Sequence, residues 1–123
     1  MDADHSHFEI ESRPGKRPGQ HIIQISGRLV FDTTQRFTNF VRKENAPIVI
    51  LDLSDLIDLD STGLGTLMRT HESFKRQKQH LALVGINEKV RHVLEITSVL
   101  RLLTVFETLA EAEEALVLTA DES

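Results

Sequence analysis

The sequence contains no cysteine, no tryptophan and no tyrosine. Without cysteine it can form neither a disulfide nor a thiolate metal site, which fits a reducing compartment. Nucleic-acid binders set cationic and aromatic side chains against phosphates and bases, whereas this chain carries a formal net charge of −5 and phenylalanine as its one aromatic residue type. We therefore expect no nucleic-acid partner.

Long apolar runs are also missing. The longest clearly apolar run, IVIL at 48–51, is far shorter than the ~20 residues that span a bilayer. The first residues, MDADHSHFEIES, are acidic and polar, without the apolar segment of an export signal. We expect no membrane insertion and a cytoplasmic location. The 123 residues fit one domain, predicted at 8–118 between disordered segments at 1–7 and 119–123.

The order of apolar patterns predicts an α/β fold. FEIE at 8–11 and HIIQIS at 21–26 flank two Pro-Gly breaks, which is typical of a hairpin. Three apolar runs then predict buried strands: PIVILDL at 47–53, LALVGI, and LLTVF at 102–106. Helical patterns alternate with these runs, and this order favours parallel pairing. We expect a mixed β-sheet of four to five strands, with about four helices packed mainly on one side.

Capping signals predict where three of these helices begin. Asp32 and Gln35 have capping-box spacing before a helix expected at about 33–44, and Asn87 is a good N-cap for the third helix. A second capping box precedes the fourth helix, formed by Thr108 and Glu111. That helix is expected to bury four residues: Leu109, Ala112, Ala115 and Leu116.

The stretch DLDSTGLG at 58–65 joins the central strand to the second helix. An interior glycine costs a helix about 1 kcal/mol relative to alanine, yet Gly63 and Gly65 both fall near its start. Capping explains one hydroxyl, but not two hydroxyls followed by two glycines. A helix N-terminus tolerates a phosphate, and glycines leave room for the active site of another protein. The pattern favours a phosphorylatable recognition surface with Ser61 as acceptor, or less favourably Thr62.

An enzyme interpretation of the same stretch is weaker. Asp58, Asp60 and Thr62 match the D-x-D-x-T arrangement of phosphoaspartate phosphatases, with Asp58 as nucleophile and Asp60 as acid/base. That chemistry needs magnesium held by further carboxylates, but the only later aspartate is Asp121, in the C-terminal tail. The six histidines lack metal-ligand spacing. We expect no catalysis, no metal and no cofactor.

The motif DSTGLG after a buried strand resembles the signature of STAS domains, and more narrowly of bacterial anti-sigma factor antagonists. The resemblance extends from FEIE to EEAL and includes VRHVLEITSVLRLLTVFET. It implies a small mixed sheet with helices mainly on one side. It also implies that Ser61 accepts phosphate from an anti-sigma factor with serine-kinase activity, that the unmodified protein binds this partner, and that a metal-dependent serine phosphatase restores the serine.

One departure from the family pattern concerns the turn after the second strand. The family often has Gly-Glu-Leu-Asp there, whereas this chain has GRLV at 27–30, so Asp32 is the nearest acidic substitute. The alternative function is a non-switching STAS interaction module of a stress-signalling complex or a lipid-transport machine. In either case the expected partner-binding residues are Asp32, Asp58, Asp60, Ser61, Thr62, Gly63, Leu64 and Gly65.

Overall fold

A computed structural model describes residues 7–118. Within this range the strands form a single five-stranded sheet. The strands are β1 (Phe8–Pro14), β2 (Gln20–Leu29), β3 (Ile48–Leu59), β4 (His80–Val84) and β5 (Val105–Phe106). They lie side by side in chain order, with β1 antiparallel to β2 and every later pair parallel. The mixed sheet and the opening hairpin are thus confirmed, and β3 is its central strand. Of the segments expected to be disordered, 1–7 and 119–123, only His7 lies within the described residues, and its carbonyl accepts the N–H of Arg28 at 3.3 Å.

Four helices cover the sheet unequally: α1 (Thr34–Arg42), α2 (Ser61–Arg76), α3 (Glu88–Ile96) and α4 (Leu109–Ala115). The first three pack on one face, where Phe37, Leu67 and Leu94 join the larger apolar core. The short α4 covers part of the other face through Ala112. The prediction that Ala115 is buried is wrong, because α4 has only about two turns and Ala115 lies on its outer side.

The central strand is longer than predicted, because it continues past the expected end at residue 53 through residues 54–59. Two irregularities against β2, between Gln24 and Ser26 and between Gly27 and Arg28, each add one residue to β3. Each added residue reverses the alternation of side chains across the sheet. The core-facing leucines are therefore three residues apart: Leu53, Leu56 and Leu59.

The last strand is shorter than predicted. Only Val105 and Phe106 pair, opposite Leu83 and Val84 at the end of β4. The preceding residues, Leu100–Leu102, form one turn of 3₁₀ helix instead. In this register β4 has residues that could face 102–104, but the turn of 3₁₀ helix takes Leu102 out of the extended conformation that pairing requires.

Candidate functional site

Asp60 is the single residue between β3 and α2, and its carboxylate joins two separate segments. One oxygen, Oδ1, accepts the backbone N–H of Gly63 at 2.9 Å and so caps α2. The other oxygen, Oδ2, accepts the backbone N–H of Phe31 at 3.1 Å, in the turn that follows β2. Asp60 therefore fixes the start of α2 relative to the neighbouring strand, and the role of N-cap that Ser61 and Thr62 were considered for belongs to Asp60.

The two glycines of the motif have different surroundings. A side-chain carbon on Gly63 would overlap the carbonyl oxygen of Leu29 and lie 2.9 Å from its carbonyl carbon. At Gly65 the nearest such contact is Nη1 of Arg69, at 3.4 Å, which is ordinary packing. Gly63 is thus required by the close approach of α2 to β2, within the chain itself. At Gly65 only the flexible end of Arg69 comes near, so contacts within the chain do not require a glycine there.

Ser61 is the first residue of α2, and its side chain is exposed. Among the described residues, no hydrogen bond holds its hydroxyl. Thr62 is half-buried, and its carbonyl accepts the hydroxyl of Thr66 at 2.9 Å. Leu64 is half-buried against the large core, so part of its surface remains for a partner. Ser61 is therefore the hydroxyl of the motif that presents itself most fully to solvent.

The Asp58 carboxylate lies between two cations. Nη1 of Arg28, on β2, contacts both of its oxygens at 2.9 and 2.8 Å, and Nζ of Lys89, on α3, lies 3.0 Å from Oδ2. Burial raises the pKa of Asp58, but the hydrogen bond from Lys89 and the charges of Arg28 and Lys89 outweigh this effect, so the pKa falls below its ordinary value of 3.8. Asp58 is thus ionised and joins β2, β3 and α3.

The turn between β2 and α1 differs from prediction at Asp32. We expected Asp32 to cap α1, but the N-cap is Thr33, and Asp32 is exposed. The buried hydroxyl of Thr33 donates to the carbonyl of Arg28 at 2.7 Å and accepts the N–H of Val30 at 2.9 Å, so it closes the turn rather than the helix. The Asp32 side chain remains exposed to solvent. It lies beside the segment 58–65, where β3 passes into α2, which we call the corner.

Phe31 was missed by the sequence analysis. Its side chain is 73% exposed, although its backbone is hydrogen-bonded to Asp60. Large apolar side chains held rigidly in solvent are typical anchors of protein interfaces. A lone phenylalanine in a polar turn carries no periodic signal in the sequence, so only the bond to Asp60 reveals that it lies at the corner.

The phosphatase interpretation finds little support in this geometry. Both oxygens of Asp58 are engaged by cations, and both oxygens of Asp60 are engaged by backbone N–H groups. Within residues 7–118, no three His, Cys, Asp or Glu side chains are grouped so as to hold a metal ion.

In the same range, no helix is both long and apolar enough to cross a membrane.

Comparison with known proteins gives consistent matches. The family model "STAS domain" matches residues 11–112. A proposed anti-sigma factor antagonist of Thermotoga maritima is 35% identical over 78 residues, covering 63% of this chain and 68% of the relative. The crystal structure of a proposed antagonist from Thermotoga maritima superposes with a TM-score of 0.76, at 27% identity, over 91% of this chain and 96% of that one.

The same fold also occurs in a different setting. A sulfate transporter family protein of Wolinella succinogenes superposes with a TM-score of 0.72 over 80% of this chain and 84% of that one, at 22% identity. At that identity the likeness shows the fold alone, and the fold does not distinguish antagonists from transporter-associated domains. The sequence match to the antagonist is the more specific finding. The chain belongs to the STAS-domain family, and within that family it is similar to anti-sigma factor antagonists.

Proposed function

We propose that this chain is an anti-sigma factor antagonist that switches partners through Ser61. Unmodified, it binds an anti-sigma factor with serine-kinase activity and thereby frees a sigma factor. Phosphorylation of Ser61 ends that binding, and a metal-dependent serine phosphatase reverses it. The observation that carries the proposal is the exposed Ser61 hydroxyl, without a hydrogen-bond partner among residues 7–118, at the end of the central strand.

The corner presents this hydroxyl on a rigid base. Asp60 caps α2, Gly63 packs against the backbone of Leu29, and Asp58 is fixed by two cations. A kinase therefore meets the Ser61 backbone in a fixed position, and the unbonded hydroxyl can turn to suit the active site of the kinase. That oxygen attacks the γ-phosphorus of ATP, ADP leaves, and a base of the kinase takes the hydroxyl proton. The phosphatase returns the serine by hydrolysis of the phosphate ester.

Electrostatic repulsion accounts for release. A phosphate adds about −1.5 to −2 charges and three acceptor oxygens to a chain with a formal net charge of −5. The adjacent residue, Asp60, is also acidic, so the phosphate adds to the acidic side chains of the corner. A loss of only about 3 kcal/mol in binding weakens affinity more than a hundredfold. No refolding is needed for such a switch.

The acceptor is tested by incubating the chain with ATP and a candidate anti-sigma factor kinase, followed by mass spectrometry of the intact protein and its peptides. Ser61→Ala should abolish labelling, while Thr62→Ala and the exposed control Ser12→Ala should be labelled like wild type. Phosphate on a residue other than Ser61 would refute the assignment. Titration calorimetry should show that Ser61→Asp binds the anti-sigma factor at least tenfold more weakly. Equal affinity would refute release by charge.

A non-switching STAS interaction module is the second candidate. The observation in its favour is Val30, which stands where the family often has aspartate; Asp32, two residues on, points to solvent from the same turn. If Asp32 takes the missing role, Asp32→Asn should slow phosphorylation while leaving the stability unchanged. If the wild-type chain binds its partner but is never phosphorylated, the second candidate replaces the first.

A further inference from the structure

Positive charge is concentrated on one part of this acidic chain. The segments 34–44 and 61–78, which contain α1 and α2, hold seven of the 14 lysines and arginines but only two of the 19 acidic residues. These segments therefore carry a surplus of five positive charges on a chain whose total is −5. α1 and α2 lie next to each other on the same face of the sheet, and three of these cations line the space between them.

A groove of about 280 Å³ runs between α1 and α2 on that surface. Its rim carries three arginines, Arg42, Arg69 and Arg76, and its floor contains the buried side chains of Val41 and Phe74. We name it the α1–α2 groove. It lies outside the residues that the sequence analysis assigned to partner binding.

Among the residues that the structure describes, the arginines of the α1–α2 groove have no acidic partners, unlike several cations elsewhere. Arg17, Arg28, Lys89 and Arg91 each pair with a carboxylate of this chain. Within residues 7–118, none of the three groove arginines makes a salt bridge, and Arg69 donates only to the hydroxyl of Thr66, at 3.1 Å. Unpaired like charges held close together repel, so carboxylates from outside would bind here favourably.

We propose that the α1–α2 groove is a second docking surface, which binds an acidic amphipathic segment of a partner protein. Arginines bind carboxylates through paired N–H···O hydrogen bonds, and the apolar floor favours a segment with an apolar side. Nucleic acid fits less well, because the one aromatic ring in the groove, Phe74, is only 4% exposed and offers no face for base stacking.

The second surface acts independently of the Ser61 switch, so this inference goes beyond the proposed function. Arg69 and Arg76 follow Ser61 by eight and fifteen residues on the same helix. At 1.5 Å per residue these separations are about 12 and 22 Å along the axis. Salt screens exposed charges beyond about 8 Å at physiological ionic strength. A partner held in the groove therefore stays bound in both phosphorylation states.

Fluorescence anisotropy with a labelled synthetic helix tests the proposal on the full chain. The probe carries glutamates on one face and leucines on the other, and the control peptide has glutamine in place of glutamate. We expect saturable binding that weakens with added salt and a loss of at least tenfold in affinity for the double variant Arg42→Glu, Arg76→Glu. The matched control, Arg13→Glu with Arg101→Glu, changes two exposed arginines and the same net charge, and should stay within about twofold of wild type.

Circular dichroism checks that each variant folds. If the charge-reversal variant does not fold, the double variant Arg42→Gln, Arg76→Gln replaces it, and it should also lose affinity for the probe. Unchanged affinity of Ser61→Asp supports independence, whereas a tenfold loss overturns it. Equal binding of the glutamine peptide, or an equal loss in the matched control, overturns the docking surface. Tighter binding of a single-stranded oligonucleotide assigns the groove to nucleic acid and overturns the protein segment. A salt-sensitive dimer that the groove variants abolish would assign the groove to a second copy of the chain. A tenfold gain in probe affinity on deleting residues 1–6 would assign it to the chain's own N-terminus. Either result also overturns the proposal.

Discussion

Gly63 and Gly65 offer a matched test of the corner, because they lie in the same turn of α2 and differ only in what surrounds them. Alanine at either position gains up to about 1 kcal/mol of helix propensity over glycine. At Gly65 nothing opposes this gain, because the nearest contact of the new carbon is the flexible end of Arg69. We expect Gly65→Ala to raise the free energy of unfolding by about 0.5–1 kcal/mol.

At Gly63 the new carbon would overlap the carbonyl oxygen of Leu29 and lie 3.1 Å from Cβ of Leu59. Both neighbours are held in the sheet, so α2 or the end of β2 has to move. Overpacking of this kind costs about 1–3 kcal/mol. The movement also strains the hydrogen bond from the Asp60 N–H to the Leu29 carbonyl, now 3.3 Å, which is worth about 1 kcal/mol. After the gain in propensity, we expect a net loss of about 2 kcal/mol.

Urea denaturation of the two variants and wild type, followed by far-ultraviolet circular dichroism, measures both values under identical conditions. For a chain of 123 residues, about 1 kcal/mol corresponds to roughly 4 °C in Tm. Gly63→Ala should therefore melt about 8 °C below wild type and Gly65→Ala a few degrees above it. If Gly63→Ala is as stable as wild type, or if Gly65→Ala is the more damaging change, the assigned role of Gly63 is wrong.

Three further changes probe the remaining contacts of the corner. Asp60→Ala removes the cap of α2 and should lower the free energy of unfolding by about 1–2 kcal/mol in the same urea assay. Thr33→Val keeps the shape but removes the hydroxyl partner of two part-buried groups, the Val30 N–H and the Arg28 carbonyl. We expect a loss of about 1–2 kcal/mol, and a neutral result would show that the turn does not depend on this hydroxyl. The pKa of Asp58 in the folded chain lies below its ordinary value of 3.8, so between these two pKa values the unfolded chain binds more protons than the folded chain. The stabilisation by Asp58 is therefore present above pH 3.8 and is lost as the pH falls through the folded pKa. Acid titrations of wild type and Asp58→Asn should differ in slope only in that range, and equal slopes would contradict the ion pairs with Arg28 and Lys89.

Sequence reasoning recovered the elements that depend on local rules. Asn87 caps α3 by accepting the N–H of Val90, and Thr108 with Glu111 forms the capping box of α4, as their spacing predicts. The start of α1 was misplaced because the same spacing at Asp32 competes with Thr33, whose hydroxyl is claimed by a turn. Which of two adjacent capping residues succeeds depends on the path of the backbone, which the sequence does not show.

The end of β3 was misplaced for a different reason. A strand that is buried on one face should alternate with period two, whereas Leu53, Leu56 and Leu59 recur every third residue. Two added residues restore their common orientation, but such bulges depend on the pairing with β2, a contact between distant parts of the chain. The residues of the candidate site could nevertheless be proposed from the sequence, because the motif is contiguous. Its supporting residues, such as Arg28 and Lys89, were not found, because they come from other elements.

The supporting contacts also constrain how a switch at this corner can work. Asp60 has both carboxylate oxygens engaged, Asp58 has two cationic partners, and Gly63 has no room to move against Leu29. A phosphate on Ser61 would therefore adjoin two carboxylates whose oxygens are already engaged, those of Asp58 and Asp60. The phosphate would add charge and volume at the start of α2, and the backbone of Phe31 would keep its hydrogen bond to the Asp60 carboxylate. In the proposed switch the partner would lose affinity through the added charge and bulk rather than through a rearrangement, so removal of the phosphate would restore the binding surface without a folding step.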